Sequence, residues 1–372
     1  MPKKARDLWE RYSLLNRAPS LNYHLGKSIN RRGLPSLQGK VAVVVDSGFM
    51  ALNASLLAPN LNDYKIIIEN FCYPADSKAF FHAMHLLLRV MVGRESEIAF
   101  VDTTGQSIRS LLSGVDIIFG PVSSKIMRVT PPWKKSYFDH GLSDTLPPQI
   151  YSIARVIIVR SFLRVIGKYS SGVSFFENLS VFRSRSGYLE SVFDALRDNE
   201  VLRSRIREHL KSEFVNFKSV TVMLAFSPWE SHEKAWKYCE ADIIEANLKL
   251  LVTYAKKDCM TVIKFHPSMA RKGITGQILI ERARSEGYSV VLFEDLFDFQ
   301  GGRYWPVELA ALAFDVDRAF GDFSSACVTL TWLGVDSVHT PLSWYEKTLT
   351  AFELAIVDKA RGFARKNCLF FD

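Results

Sequence analysis

Paired cysteines are the first thing missing from this chain. Its five, Cys72, Cys239, Cys259, Cys327 and Cys368, are odd in number and widely spaced, with no CxxC pair. That excludes a disulfide framework and a Cys-based zinc site, and it fits a reducing compartment. Long apolar runs are also absent. The stretch from Tyr151 to Gly167 is broken by Arg155, Arg160 and Arg164, which rules it out as a spanning helix. The first residues are basic but have neither a continuous apolar core nor a small-residue cleavage site, so no secretory signal is expected. Acidic residues are scarce at the start: residues 1–40 hold nine Lys or Arg and only Asp7 and Glu10, and so account for most of the net charge of +8. There is no strand-flanked Asp-x-Asp cluster and no metal-ligand His spacing, so no metal and no cofactor is expected. Nucleic-acid motifs of the RRM, KH or helix-turn-helix kind are lacking too.

What is present is the balance of a globular protein, 48% hydrophobic and 23% charged, over a length of 372 residues that suggests two domains. In the basic arm, Leu8, Trp9, Tyr12 and Leu15 fall at helical spacing opposite the charges. An anionic membrane surface, docking on the protein's own core and a solvated extension all satisfy that pattern. The location that follows is cytoplasmic, with peripheral attachment to an inner membrane as the role for the arm.

Beyond the arm, short β-rich runs alternate with amphipathic stretches. Lys40 to Val45, Tyr64 to Glu69, Glu97 to Val101 and Val115 to Phe119 read as buried parallel strands; Ala51 to Leu57, Ser77 to Val92 and Gln106 to Leu112 read as helices between them. A Ser-, Gly- and Arg-rich stretch from Ser170 to Gly187 interrupts the pattern. It restarts with strands at Val220 to Phe226, Thr261 to Phe265, Ser289 to Phe293 and near Val316 to Phe320. Helices are predicted over His232 to Lys256, Met269 to Glu286, Pro306 to Ala313 and Ser325 to Trp332. The fold class is α/β, with two doubly wound, Rossmann-like domains.

Ligands of such sheets bind beyond the carboxyl ends of the strands, which directs attention to four places. Lys264-Phe265-His266-Pro267-Ser268 ends a strand on a histidine, with a proline suited to open the next helix. Gly321-Asp322-Phe323-Ser324-Ser325 is a small-residue turn at a helix start, able to offer hydroxyls and backbone amides to a phosphate or simply to cap the helix. Trp305-Pro306-Val307-Glu308 puts a carboxylate in a first helical turn, where it could accept both hydroxyls of a ribose or serve as a cap. Tyr137-Phe138-Asp139-His140-Gly141-Leu142-Ser143-Asp144 sets carboxylates and an imidazole beside a glycine, as a general base or as a polar turn.

In their order, Asp139-His140-Gly141, His266-Pro267 and Ser324-Ser325, with Asp46-Ser47-Gly48-Phe49 at the first strand-to-helix turn, resemble the motifs of the bacterial GT-B sialyl- and polysialyltransferases. His140 in place of a second acidic residue is similar instead to the teichoic-acid and capsule polyol-phosphate transferases, which pair His-Gly with His-Pro. The resemblance implies two Rossmann-like domains facing a cleft and a metal-independent, inverting transfer. A CMP-activated ulosonic acid would be the donor and a glycan or glycolipid the acceptor, or else another donor such as CMP-Kdo, a CDP-polyol or a UDP-sugar. It implies Asp139 or His140 as base and His266 at the leaving group. Ser324, Ser325, Pro267 and Ser227 would lie about the nucleotide phosphate, Glu308 on the ribose, and Ser47, Gly48, Gly141 and Asp144 in the donor and acceptor loops. The expected domains are a basic extension over 1–39, an acceptor-side domain over 40–175, a linker over 176–214, a nucleotide-sugar-binding domain over 215–345 and a tail over 346–372 packing back on the first domain. A non-catalytic polyanion-binding protein is the reading outside the enzymes.

Overall fold

The computed structural model describes residues 41–57, 65–70, 73–92, 98–102, 112, 114–121, 124, 126, 135–137, 193, 196–217, 219–227, 239–272, 276–321, 324–340 and 369–370. It divides into two compact units, Met1–Leu189 and Glu190–Asp372.

In the first unit β1 (Val41–Val45), β2 (Lys65–Asn70), β3 (Ile98–Asp102), β4 (Ile117–Gly120) and β5 (Lys135–Tyr137) form one parallel sheet in the order β3-β2-β1-β4-β5. β1 consists of valines and one alanine and is buried along its whole length, as a strand covered on both faces must be. Helix α1 (Gly48–Leu57) and helix α2 (Ser77–Val92) pack on each other and on β1 and β2. In α2, Phe80, Ala83, Met84, Leu87 and Leu88 are buried, the i, i+3, i+4, i+7 stripe that turns a helix onto a sheet.

The second unit opens with helix α3 (Glu200–Arg207), capped by the Asn199 side chain, which accepts from Leu202 N at 3.0 Å. Leu202 and Ile206 bury its inner face. The helix lies within the expected linker, yet it is docked on this unit: Arg207 Nε donates to Ala313 O at 2.9 Å. The strands are β6 (Ser219–Leu224), β7 (Met260–Lys264), β8 (Val290–Leu292), β9 (Asp315–Gly321), β10 (Asp336–His339) and β11 (Leu369–Phe370). All pair in parallel, in the order β11-β10-β9-β6-β7-β8. Counted from β6, this is the doubly wound order 6-5-4-1-2-3. Helices α4 (Glu240–Tyr254) and α5 (Gln277–Ser285) cover one face in a common core with Met223, Ile263, Phe320 and Val338. Helices α6 (Glu308–Ala313) and α7 (Ser325–Trp332) pack on each other and on β9.

One expectation is corrected. The single helix over Met269 to Glu286 is a 3-10 segment, Pro267–Lys272, followed by α5, which starts only after Gly276 in the left-handed region at φ 78°. A Cβ at Gly276 would also stand 2.7 Å from the Phe265 ring, so the break is built into that residue. Of the tail expected over 346–372 only Leu369–Phe370 are described, and they extend the second sheet beside β10. Of the helix predicted over Gln106 to Leu112 only Leu112 is described, and the basic arm and the stretch from Ser170 to Gly187 lie outside the described residues. Among the described residues no helix is long and apolar enough to cross a membrane.

Candidate functional site

The second sheet winds outward from β6 to β8 and then returns past β6 to β9, so its topological switch point lies between β6 and β9. Carboxyl ends of strands at such a point are where ligands of doubly wound sheets bind. Here the two strands come unusually close. Leu224 pairs with Gly321, and a Cβ on Gly321 would meet Leu224 O at 2.4 Å and Leu224 Cβ at 2.5 Å. Only glycine leaves that approach open.

Beyond Leu224 the chain is pinned. Ala225 N donates to Lys264 O at 2.9 Å, and Phe226 N to Asn247 Oδ1 at 2.6 Å. Asn247, fully buried on α4, returns its amide protons to Phe226 O and Ile243 O. Ser227 then bridges the ends of two strands: its hydroxyl donates to Ala225 O at 3.2 Å and accepts from His266 N at 3.3 Å.

His266 lies just past β7 with its ring exposed. Its Nδ1 accepts from Ser268 N at 3.3 Å and stands 2.7 Å from Ser268 Oγ. A ring nitrogen that accepts a backbone amide carries no proton, so the neutral imidazole is protonated on Nε2. Pro267 opens the 3-10 segment at no hydrogen-bond cost, and Met269 N donates to His266 O at 2.9 Å. The Ser227 and Ser268 contacts thus fix the backbone, ring plane and tautomer of His266 together. The result is an N–H donor at a strand end, suited to an anionic oxygen.

Across the switch point Ser324 is the N-cap of α7, its Oγ accepting from Ala326 N at 3.2 Å, and Ser325 is the first helical residue. The helix start directs its dipole at the same edge. Glu308 begins α6 but is buried, and its Oε1 is bonded to Thr329 Oγ1 of α7. Burial raises its pKa, against the lowering effects of the Thr329 bond and of Lys264.

Lys264, the last residue of β7, is buried on that same face. Its Nζ donates to Arg303 O and stands 4.4 Å from the centre of the Phe293 ring. Burial lowers its pKa from 10.5 to about 8, with Glu294 and Glu308 opposing the shift and Arg303 adding to it. The sign of the resulting pH dependence is fixed. Below pH 8 both folded and unfolded chains carry the charge; between 8 and 10.5 the folded chain releases the proton first, so this side chain makes stability rise with pH. Urea unfolding at several pH values is expected to show the wild type gaining up to about 3 kcal/mol on Lys264→Met across that window. A constant difference between the two proteins would contradict it.

In the first unit Ser47 caps α1, its Oγ accepting from Met50 N at 3.4 Å, and Gly48 opens that helix in a buried position. Asp139, His140, Gly141 and Asp144 lie outside the described residues, which stop at Tyr137 on β5. Asp46 entered the sequence reading only as part of the Asp46-Ser47-Gly48-Phe49 turn and Glu69 only as the end of a strand, neither with a role of its own. The register Val45↔Ile68 sets these two buried acidic residues at adjacent positions where the strands end, and Glu69 Oε1 accepts from Ile126 N at 3.2 Å. Lys264 was likewise named without a role, and Asn247 and Thr329 were passed over. A lysine closing the apolar run Val262-Ile263 was the legible signal; the other two look like ordinary helix residues until the fold places them.

No family model matches the sequence, and no curated protein matches it. Among solved structures the chain is similar to the wall teichoic acid polymerase TagF soaked with CDPG, at 11% identity and a TM-score of 0.45, over 93% of this chain and 88% of that one.

Proposed function

We propose that the chain is a GT-B transferase that takes its donor as a cytidine nucleotide, with the phosphate held at the carboxyl edge of the second sheet. The observation that carries this is the pairing, at one switch point, of a tautomer-fixed His266 with the capped start of α7 across a glycine-only approach of β6 and β9. His266 Nε2–H and the α7 amides would neutralise charge on the departing phosphate, so the transfer runs without a metal. The acceptor hydroxyl would lose its proton to a general base.

Two donor classes fit these groups. With a CDP-polyol, the acceptor oxygen attacks the β-phosphorus, the bond to CMP breaks, and His140 takes the proton. With a CMP-ulosonic acid, the acceptor oxygen attacks the anomeric carbon, the bond to CMP breaks, and Asp139 takes the proton. The polyol-phosphate reading is the leading one, because it gives His140-Gly141 and His266-Pro267 an imidazole each, and a histidine near its ordinary pKa of about 6.5 suits a base at neutral pH. Ser324-Ser325 and Asp139 keep the CMP-ulosonic reading in second place. A glycan or glycolipid end is the acceptor in both, and the basic arm would bring the enzyme to an anionic surface.

The test is a thermal-shift panel of CMP, CDP, UDP and GDP, in which a ligand at 100 times its Kd adds about 2.7 kcal/mol to the folded state. Stabilisation by CDP and CMP but not by UDP or GDP is the expected result. Stabilisation by CMP alone selects the ulosonic donor, and no shift with any of the four returns the chain to the polyanion-binding class. With the donor in hand, His140→Asn is expected to abolish turnover and leave CDP affinity unchanged, while Asp139→Asn is milder. The reverse order assigns the base to Asp139.

A further inference from the structure

Glu308 was expected on the ribose, yet it is 2% exposed, and the structure bonds it elsewhere. Thr329 Oγ1, itself fully buried, lies within bonding distance of both Glu308 Oε1 and Ala326 O, the latter at 3.2 Å. A hydroxyl has one proton to give. An ionised Glu308 and the Ala326 carbonyl would compete for it. A protonated Glu308 ends the competition by donating to Thr329 Oγ1, which leaves the threonine proton for Ala326 O. Burial favours that neutral form of Glu308. Ala326 is also the residue whose amide donates to the Ser324 cap. A continuous chain of hydrogen bonds therefore runs from the start of α6, through Thr329, to the first turn of α7.

Lys264 connects the other half of the edge to the segment leading into α6 and acts on Glu308 through its charge. This residue is two positions before His266, its carbonyl receives Ala225 N, and its Nζ holds Arg303 O in the turn leading to α6. The charged groups about Glu308 are thus Lys264 from β7 and, beyond it, Arg303 and Glu294 from the two 3-10 segments before α6.

We propose that Glu308 and Thr329 are positioning residues that hold the start of α7 in register with the His266 strand end, and that Glu308 does not bind the ribose. The inference rests on the phosphate site proposed above, whose own failure reads out separately, on the wild-type protein. Such residues act on the phosphate and leave the nucleoside untouched, and a glutamine at 308 replaces the acid, because its amide donates as the protonated carboxyl does.

The experiment is calorimetric binding of CDP and of cytidine to the full chain. Glu308→Gln is expected to bind both ligands within about twofold of wild type. Thr329→Val, which removes the hydroxyl at nearly constant shape, is expected to weaken CDP about tenfold with cytidine unchanged, and Thr329→Ser to restore CDP. As pH rises and wild-type Glu308 ionises, its CDP affinity is expected to fall below that of Glu308→Gln, a divergence that a packing role alone does not produce. Loss of cytidine binding in Glu308→Gln returns Glu308 to the ribose and overturns the proposal. So does wild-type CDP affinity in Thr329→Val, or a ratio between wild type and Glu308→Gln that is flat with pH. If Thr329→Val does not fold, Glu308→Gln and the pH ratio decide. A wild-type protein that binds neither ligand removes the phosphate site and this inference with it.

Discussion

Gly321→Ala is expected to destabilise the second unit by about 3 kcal/mol, at the upper end of what added bulk costs in a packed interior. The new Cβ would fall 2.4 Å from Leu224 O, 2.5 Å from Leu224 Cβ and 3.0 Å from Leu224 Cα. None of these atoms is the loose end of a side chain. Each belongs to the backbone or the Cβ of the neighbouring central strand, and Leu224 is held by its own pairing with Lys264. Relief therefore requires β6 and β9 to separate at their carboxyl ends, where the phosphate site is proposed. For a unit of this size the penalty corresponds to a fall in Tm of roughly 6 to 12 °C. Nucleotide affinity should fall with it, because the Ser324 turn follows directly from Gly321. Scanning calorimetry of the variant with and without CDP measures both effects. A Tm within one or two degrees of wild type would show that the two strands have slack that the structure does not.

The second large effect is catalytic. His266→Ala is expected to lower turnover about 100-fold while CDP affinity changes by less than tenfold, since loss of one aligned donor to developing charge typically costs that much. His266→Gln, which retains an N–H at similar reach, should keep part of the rate. Ser268 provides an independent check. It holds the ring through both Nδ1 contacts, so Ser268→Ala leaves the backbone amide in place and should lose less than His266→Ala. Single-turnover rates with the donor identified by the nucleotide panel test the series. Wild-type turnover in His266→Ala would remove the histidine from the chemistry.

Legibility in the sequence followed the physics of burial. β1, β2 and β7 are β-rich and covered on both faces for much of their length, β9 only over its buried end Ala319-Phe320-Gly321, and all four could be placed to within a residue or two. α7 was placed at its observed bounds because a serine pair marks its start, Ser324 being the N-cap. The short strands β5, β10 and β11 were missed. Lys135–Tyr137 and Asp336–His339 are too brief and too polar for an apolar run to mark them. The break at Gly276 was missed for another reason: periodicity carries no record of a left-handed residue whose missing Cβ makes room for Phe265. At the candidate site, His266 and Ser324 were legible because strand ends and helix starts announce themselves in sequence. The Lys264, Glu308 and Thr329 cluster was not, because it exists only once β7, α6 and α7 are brought together.

The parallel pairing of Ser219 with Asp315 and of Leu224 with Gly321 also decides when the molecule can first bind anything. Among the described strand pairs of the second unit it joins the segments most distant along the chain, with α4, β7, α5, β8 and α6 all lying between them. Closing so large a loop costs entropy before any contact repays it, so the more local pairs, β6 with β7 and β7 with β8, can assemble earlier. An early intermediate of this kind would have β6 as an open edge, with Ser227 and His266 already next to each other but no second half to the anion site. Arrival of β9 would cover that edge and create the switch point in the same event. Nucleotide binding should then appear in refolding only with the slowest phase, and the exposed β6 edge makes the interval before it the period of greatest risk of misassembly.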